Sequence, residues 1–196
     1  MKKHEIKELI NWVAVLAAPR SAGGHTDAME AIFEGNAKVC ASWVEKDYTG
    51  SEAFAYLFPD GTVVIMTDYF GSCAGCDAWE DATDDDVKLM VESLVNSSRV
   101  FDNAEEAYHF CLTETKTAEQ YPVKEAAHLI NDMEHVFKVW IISQGALDRF
   151  VRDYGWNDLE KMAEEHEEVA KLLANPNIKK LIDDNCGGFG GGSDET

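Results

Sequence analysis

The spacing of apolar residues changes character twice along the chain. In the first segment Ile6, Leu9, Ile10, Val13 and Leu16 or Ala17 recur at helical intervals, so an amphipathic helix is expected up to Pro19, whose ring cannot continue it. A loop over Pro19 to His25 follows, and Thr26 or Asp27 is placed to cap a short helix through Phe33 that ends at Gly35. From Val39 the period becomes two. Val39, Ala41 and Trp43 or Val44 open a β pattern and Ala53 to Phe58 continue it. The Pro59-Asp60-Gly61 turn then leads into Thr62 to Tyr69, rich in β-branched and aromatic residues. An antiparallel meander of three strands is predicted. Val63-Val64-Ile65-Met66 is its most apolar stretch, which assigns the third strand to the sheet interior and delivers Gly71 to Asp77 at its end.

The helical period returns at Asp84. Val87, Met90, Val91, Leu94 and Val95 form the buried stripe of a helix reaching about Ser97, with Asp84, Asp85 and Asp86 where the helix dipole favours negative charge. Val100-Phe101 reads as a brief extended link, and Asp102 or Asn103 caps a helix carrying Ala107, Phe110 and Cys111; Thr115 to Pro122 is a connection. Lys124 to about Tyr154 supports one long core helix, bent near Gly145, followed by an acidic helix from Trp156 to Ala174 and a short helix ending near Asp184. The fold class is α+β, a small three-stranded antiparallel sheet packed against mostly C-terminal helices, in one domain over 1–185. Cys186 to Thr196, rich in Gly and acidic at its end, is expected to be a flexible tail.

Composition narrows the partners. With 37 acidic against 17 basic residues, the formal net charge of −20 argues against direct binding to nucleic acid or to an anionic membrane, both of which need clustered Lys and Arg. A basic protein partner is the natural complement. Lys2 and Lys3 ahead of the apolar Leu9 to Ala18 stretch imitate a secretory leader, but Glu5 and Glu8 spoil the basic region and the helical spacing accounts for the segment. Five cysteines, an odd number without a disulfide framework, are expected as reduced thiols in a cytoplasm.

Recognisable chemistry concentrates in Thr67 to Glu80. Cys73 and Cys76 have the spacing with which two thiolates on a tight turn hold one metal ion or form a disulfide, and Gly71 and Gly75 suit the turn. A structural zinc site needs four ligands, so His109 and Cys111 are taken as the second pair, with Cys40 as a further supplier. The same dithiol after a strand resembles the thioredoxin layout. No later Pro-containing segment matches that family, and Asp77 and Glu80 would disfavour a thiolate. His128, Asp132 and His135 share one face of the expected long helix, where a solvated surface is the plainer meaning. Asp77, Glu80, Asp81, Asp84, Asp85 and Asp86 form an acidic run uninterrupted by a basic residue, readable as a solvated helix start or as an interaction surface imitating a nucleic-acid backbone. No nucleophile with its base, and no His-Glu-x-x-His, accompanies these groups.

The stretch Tyr69-Phe-Gly-Ser-Cys-Ala-Gly-Cys-Asp77 resembles small bacteriophage-encoded acidic proteins carrying a Gly-Ser-Cys-x-x-Cys-Asp element after an aromatic-rich strand. The resemblance implies a protein acting in the cytoplasm of a bacterial host, and from such a source an inhibitor of a defence or nucleic-acid-processing complex. The expected function is a non-enzymatic binding or regulatory protein with an acidic surface for a basic partner. A small Cys-x-x-Cys zinc-binding or thiol-redox protein is the alternative.

Overall fold

The computed structural model describes residues 1–18, 24–45, 50–71, 78–117 and 125–176. Cys73, Cys76, Asp77, the expected last helix and the Gly-rich tail lie outside the described residues. The chain divides into two compact units, Met1–Val136 and Phe137–Thr196.

The first unit is built on a four-stranded antiparallel sheet in the order β1-β2-β3-β4, with β1 Lys38–Val44, β2 Gly50–Leu57, β3 Val63–Phe70 and β4 Arg99–Phe101. Gly61 lies at φ +88° in the β2–β3 turn, a conformation that favours glycine, and its N–H donates to Phe58 O at 3.0 Å. The third strand is interior, as its apolar run implied. The count of three strands is corrected to four, because Val100-Phe101 is no mere link: Val63, Val64 and Ile65 pair with Phe101, Val100 and Arg99.

Alternation divides the β2–β3 pair into two faces. Phe54 and Tyr56 of β2 lie opposite Met66 and Val64 of β3, and all four share one apolar core with residues of α1 Lys3–Lys7, α2 Trp12–Ala17, α3 Gly24–Ala31 and α4 Asp84–Ser97. On the other face, the small residues Ala53 and Ala55 are fully buried where a 3₁₀ turn, Glu125–Leu129, meets β2. This second cover is completed by α5, Ala104–Thr117. The expectation of mostly C-terminal covering helices is therefore met only in part, since the N-terminal helices join α4 in closing one core on the sheet.

Local hydrogen bonds set the helix ends. The single N-terminal helix is split because Asn11 caps α2, its Oδ1 accepting from Ala14 N at 3.1 Å, while its own N–H donates to Ile32 O at 2.7 Å. Asn103 caps α5 by accepting from Glu106 N at 3.0 Å. The long helix expected from Lys124 to Tyr154 is interrupted once, at the expected bend near Gly145: the 3₁₀ turn runs directly into α6 Ile130–Ser143, and α7 Leu147–Tyr154 follows. Gly145, at φ +72°, stops α6 in a Schellman arrangement: Gly145 N donates to Ile142 O and Ala146 N to Ile141 O. His166, in extended conformation, likewise divides the expected Trp156 to Ala174 helix into α8 Trp156–Glu165 and α9 Glu167–Leu173.

Within the second unit, Tyr154 packs against Phe137 and Phe150 at centroid distances of 6.5 and 5.1 Å. Lys138 lays its stem along this cluster, with Nζ 4.6 Å from the Tyr154 centroid and 3.0 Å from Asp158 Oδ2. Among the described residues no helix is long and apolar enough to cross a membrane.

Candidate functional site

The acidic run leads into α4. Asp81 has φ 61°, a left-handed conformation that Asp tolerates better than most residues, and turns the chain toward the cap. Thr83 and Asp86 form a reciprocal capping box: Asp86 N donates to Thr83 Oγ1 at 3.2 Å, and Thr83 N donates back to Asp86 Oδ2 at 3.0 Å. These bonds from the Thr83 hydroxyl and amide hold the Asp86 carboxyl below its ordinary value. Asp86 is thus employed in capping the start of the helix. Asp81, Asp84 and Asp85 are exposed and Glu80 is half-buried. Asp85 meets Lys88 at 3.0 Å, an exposed pair of the kind that contributes little to stability.

The two sides of α4 differ sharply. Val87, Val91, Leu94 and Val95 enter the core, whereas Asp85, Leu89, Glu92 and Asn96, spaced to fall on one side of a helix, are all exposed. Leu89 is 67% exposed in the middle of that stripe. An apolar side chain flanked by carboxylates is chemistry suited to a protein surface carrying Lys or Arg around an apolar recess.

Among the metal candidates, His109 and Cys111 are not brought together. His109 is exposed and faces Glu105 at 3.9 Å, while Cys111, two positions on and so about 200° round the helix, is fully buried. Cys40, the other supplier considered, is near enough to act electrostatically on Cys111. Burial, added to by Cys40, pushes the Cys111 thiol up to about 12, and burial pushes Cys40 up to about 11. The Cys40 thiol donates to Ala55 O at 3.4 Å. Both sulfurs are therefore protonated at neutral pH and act as small apolar side chains. Of the trio His128, Asp132 and His135, the first belongs to the 3₁₀ turn and the other two to α6, which continues directly from it. His128 stacks on Trp43 of β1, ring centroids 3.8 Å apart and planes 7° from parallel.

Sequence reasoning passed over a polar cluster at the end of the sheet from which the dithiol segment departs. Glu52 of β2 is fully buried and His25 of α3 is 3% exposed. His25 Nε2 lies 3.7 Å from Glu52 Oε2, which accepts a hydrogen bond from Thr26 Oγ1 at 2.9 Å. Phe70 stacks on the imidazole at 4.5 Å. Asp68, the cross-strand partner of Glu52, accepts from the buried Trp79 indole at 2.8 Å. A signal was present: Glu52 falls in step with Phe54 and Tyr56, so period two alone puts a carboxylate on the core face.

Comparison of the chain with protein-family models, with curated proteins and with solved structures finds no match.

Proposed function

We propose that this protein is a non-enzymatic acidic binding protein that regulates a basic protein partner through the exposed side of α4. The observation that carries the reading is the stripe of Asp85, Leu89 and Glu92, with Asp81 and Asp84 beside it, all exposed while the opposite side of the helix is fixed in the core. A rigid helix presents the carboxylates without further ordering on binding, which limits the entropy lost. The net charge of −20 extends the attraction beyond contact distance and favours fast encounter with a cationic surface. A protein that ordinarily holds nucleic acid offers such a surface, and a row of carboxylates there acts as a substitute for phosphates, in keeping with an inhibitor encoded by a bacteriophage.

The test is affinity capture from bacterial lysate with the immobilised wild type, the charge variant Asp81→Asn/Asp84→Asn/Asp85→Asn, and Leu89→Ala. A basic protein retained at low salt, released at high salt, lost by the charge variant and weakened by Leu89→Ala is the expected result. Equal capture by wild type and both variants would overturn the assignment, as would the absence of any salt-sensitive partner.

A further inference from the structure

We infer that the outer edge of β1 is a self-association surface, on which a second copy of this chain adds its own β1 antiparallel to form one continuous sheet. The inference does not rest on the acidic face of α4. β1 ends the sheet, with β2 on its inner side. Glu45 N donates to Ser51 O at 3.0 Å. Alternation of paired positions then turns the backbone N–H and C=O of Ala41 and Trp43 toward β2, and those of Ser42 and Val44 outward. Among the described residues none hydrogen-bonds these outward groups. An open edge of this kind is a template for another strand. The stretch Lys38–Val44 also holds no acidic residue, in a chain that has 37.

The side chains of this edge fit a copy of themselves. A two-fold axis at Ser42 lets each Ser42 N–H donate to the Ser42 C=O of the other copy, the reciprocal pair of an antiparallel ladder. Trp43 then faces Ala41 of the second copy, large against small, on the side of the sheet where Trp43 stacks on His128. Against β2 the register shifts between Val39 and Ala41, leaving Cys40 as the extra residue. The same step against the new strand sets Val44 opposite Val39 of the second copy, and Glu45 opposite its Lys38. Val39 and Val44 are partly buried against the core, so their contact extends the apolar face across the axis. Lys38 and Glu45 are exposed and of opposite charge, and symmetry supplies this pair twice. A bulge ordinarily guards an edge against pairing; here it aligns the complementary residues. A basic peptide would meet Lys38 and no carboxylate within Lys38–Val44, so charge favours the second copy over such a partner.

The experiment is sedimentation of the full-length protein over a range of concentrations at low and high salt, with a thiol reductant present so that no intermolecular disulfide contributes. Wild type is expected to pass from one chain to two as concentration rises. It should do so more readily at high salt, which screens the repulsion between copies that each carry a net charge of −20. Ser42→Pro removes an N–H that β1 does not use within its own sheet, and is expected to weaken the dimer by about tenfold while circular dichroism stays native. Lys38→Glu sets like charges opposite each other twice and should also weaken it, and Lys38→Glu/Glu45→Lys should restore it. Should Ser42→Pro not fold, hydrogen exchange of the wild type decides: the Ser42 and Val44 amides gain protection as concentration rises. A wild type that stays monomeric at every concentration and salt leaves the edge to an extended segment of another protein and overturns the proposal. A dimer that neither Ser42→Pro nor Lys38→Glu weakens, or one in which the Ser42 and Val44 amides gain no protection, overturns it equally.

Discussion

Replacing Tyr56 by Phe isolates one buried hydroxyl and makes the alkaline stability of the protein calculable. Tyr56 is fully buried in β2 and its hydroxyl donates to Met29 O at 2.7 Å, tying α3 to the sheet. Phe33 stands edge-on to its ring at 5.0 Å, a contact that Phe can keep. The Met29 carbonyl also receives the Ile32 N–H at 3.3 Å, so the substitution does not orphan it. The neutral-pH loss is therefore that of one net hydrogen bond, about 1 kcal/mol.

The pH dependence has the opposite sign. Burial, then the negative charges of Glu52, Glu30 and Asp68, raise the phenol well above its ordinary value of 10.0. The folded state keeps the proton that the unfolded state releases, so the contribution of Tyr56 is full below about pH 10 and declines by up to about 1.4 kcal/mol per pH unit above it. Tyr56→Phe lacks this decline. Other groups titrate in both proteins and cancel in the difference, so the wild-type advantage of about 1 kcal/mol should vanish near pH 11. Urea unfolding followed by tryptophan fluorescence at intervals from pH 7 to 11 measures it. A difference that stays constant with pH would refute a phenol held protonated by burial, and no difference at neutral pH would refute the worth assigned to its hydrogen bond.

Three further outcomes are expected. Thr83→Ala removes the hydroxyl of the α4 capping box and should lower stability by about 1 kcal/mol in urea unfolding; below the ordinary carboxyl range the contribution of the depressed Asp86 fades, so the effect of the substitution should shrink as pH falls through the folded Asp86 value. Gly145→Ala should destabilise by about 1–2 kcal/mol from backbone strain alone, since a Cβ there meets nothing within 4 Å, and Gly145→Asn should lose less in thermal unfolding. Cys40→Ala/Cys111→Ala should leave the fast phase of labelling by a thiol-reactive disulfide at pH 7.5 unchanged, because burial keeps both sulfurs protonated; a smaller fast amplitude would show that one of them is reactive.

What the sequence determined by itself is what depends on neighbours along the chain. The extent of α4 follows from an acidic first turn and a regular apolar stripe over Asp84 to Ser97, while its Thr83 cap was found only in the structure. The β2–β3 hairpin follows from Pro59-Asp60-Gly61 between two apolar runs, since turn chemistry and side-chain alternation are local properties. The acidic character of the Asp81 to Asp86 segment was equally legible. Tertiary structure alone decided the rest. Arg99–Phe101 has three residues, too few to show a period, and is a strand only because β3 offers it an edge. One helix or several could be written for Lys124 to Tyr154, and the choice fell at Gly145 because a left-handed residue there closes the last carbonyls of α6. His109 and Cys111, adjacent enough in sequence to group as ligands, are separated by the turn of their own helix. His25 and Glu52 carry no common motif and belong to different elements; they meet because packing α3 on the β2 face brings an imidazole to a carboxylate that the strand period had already turned inward.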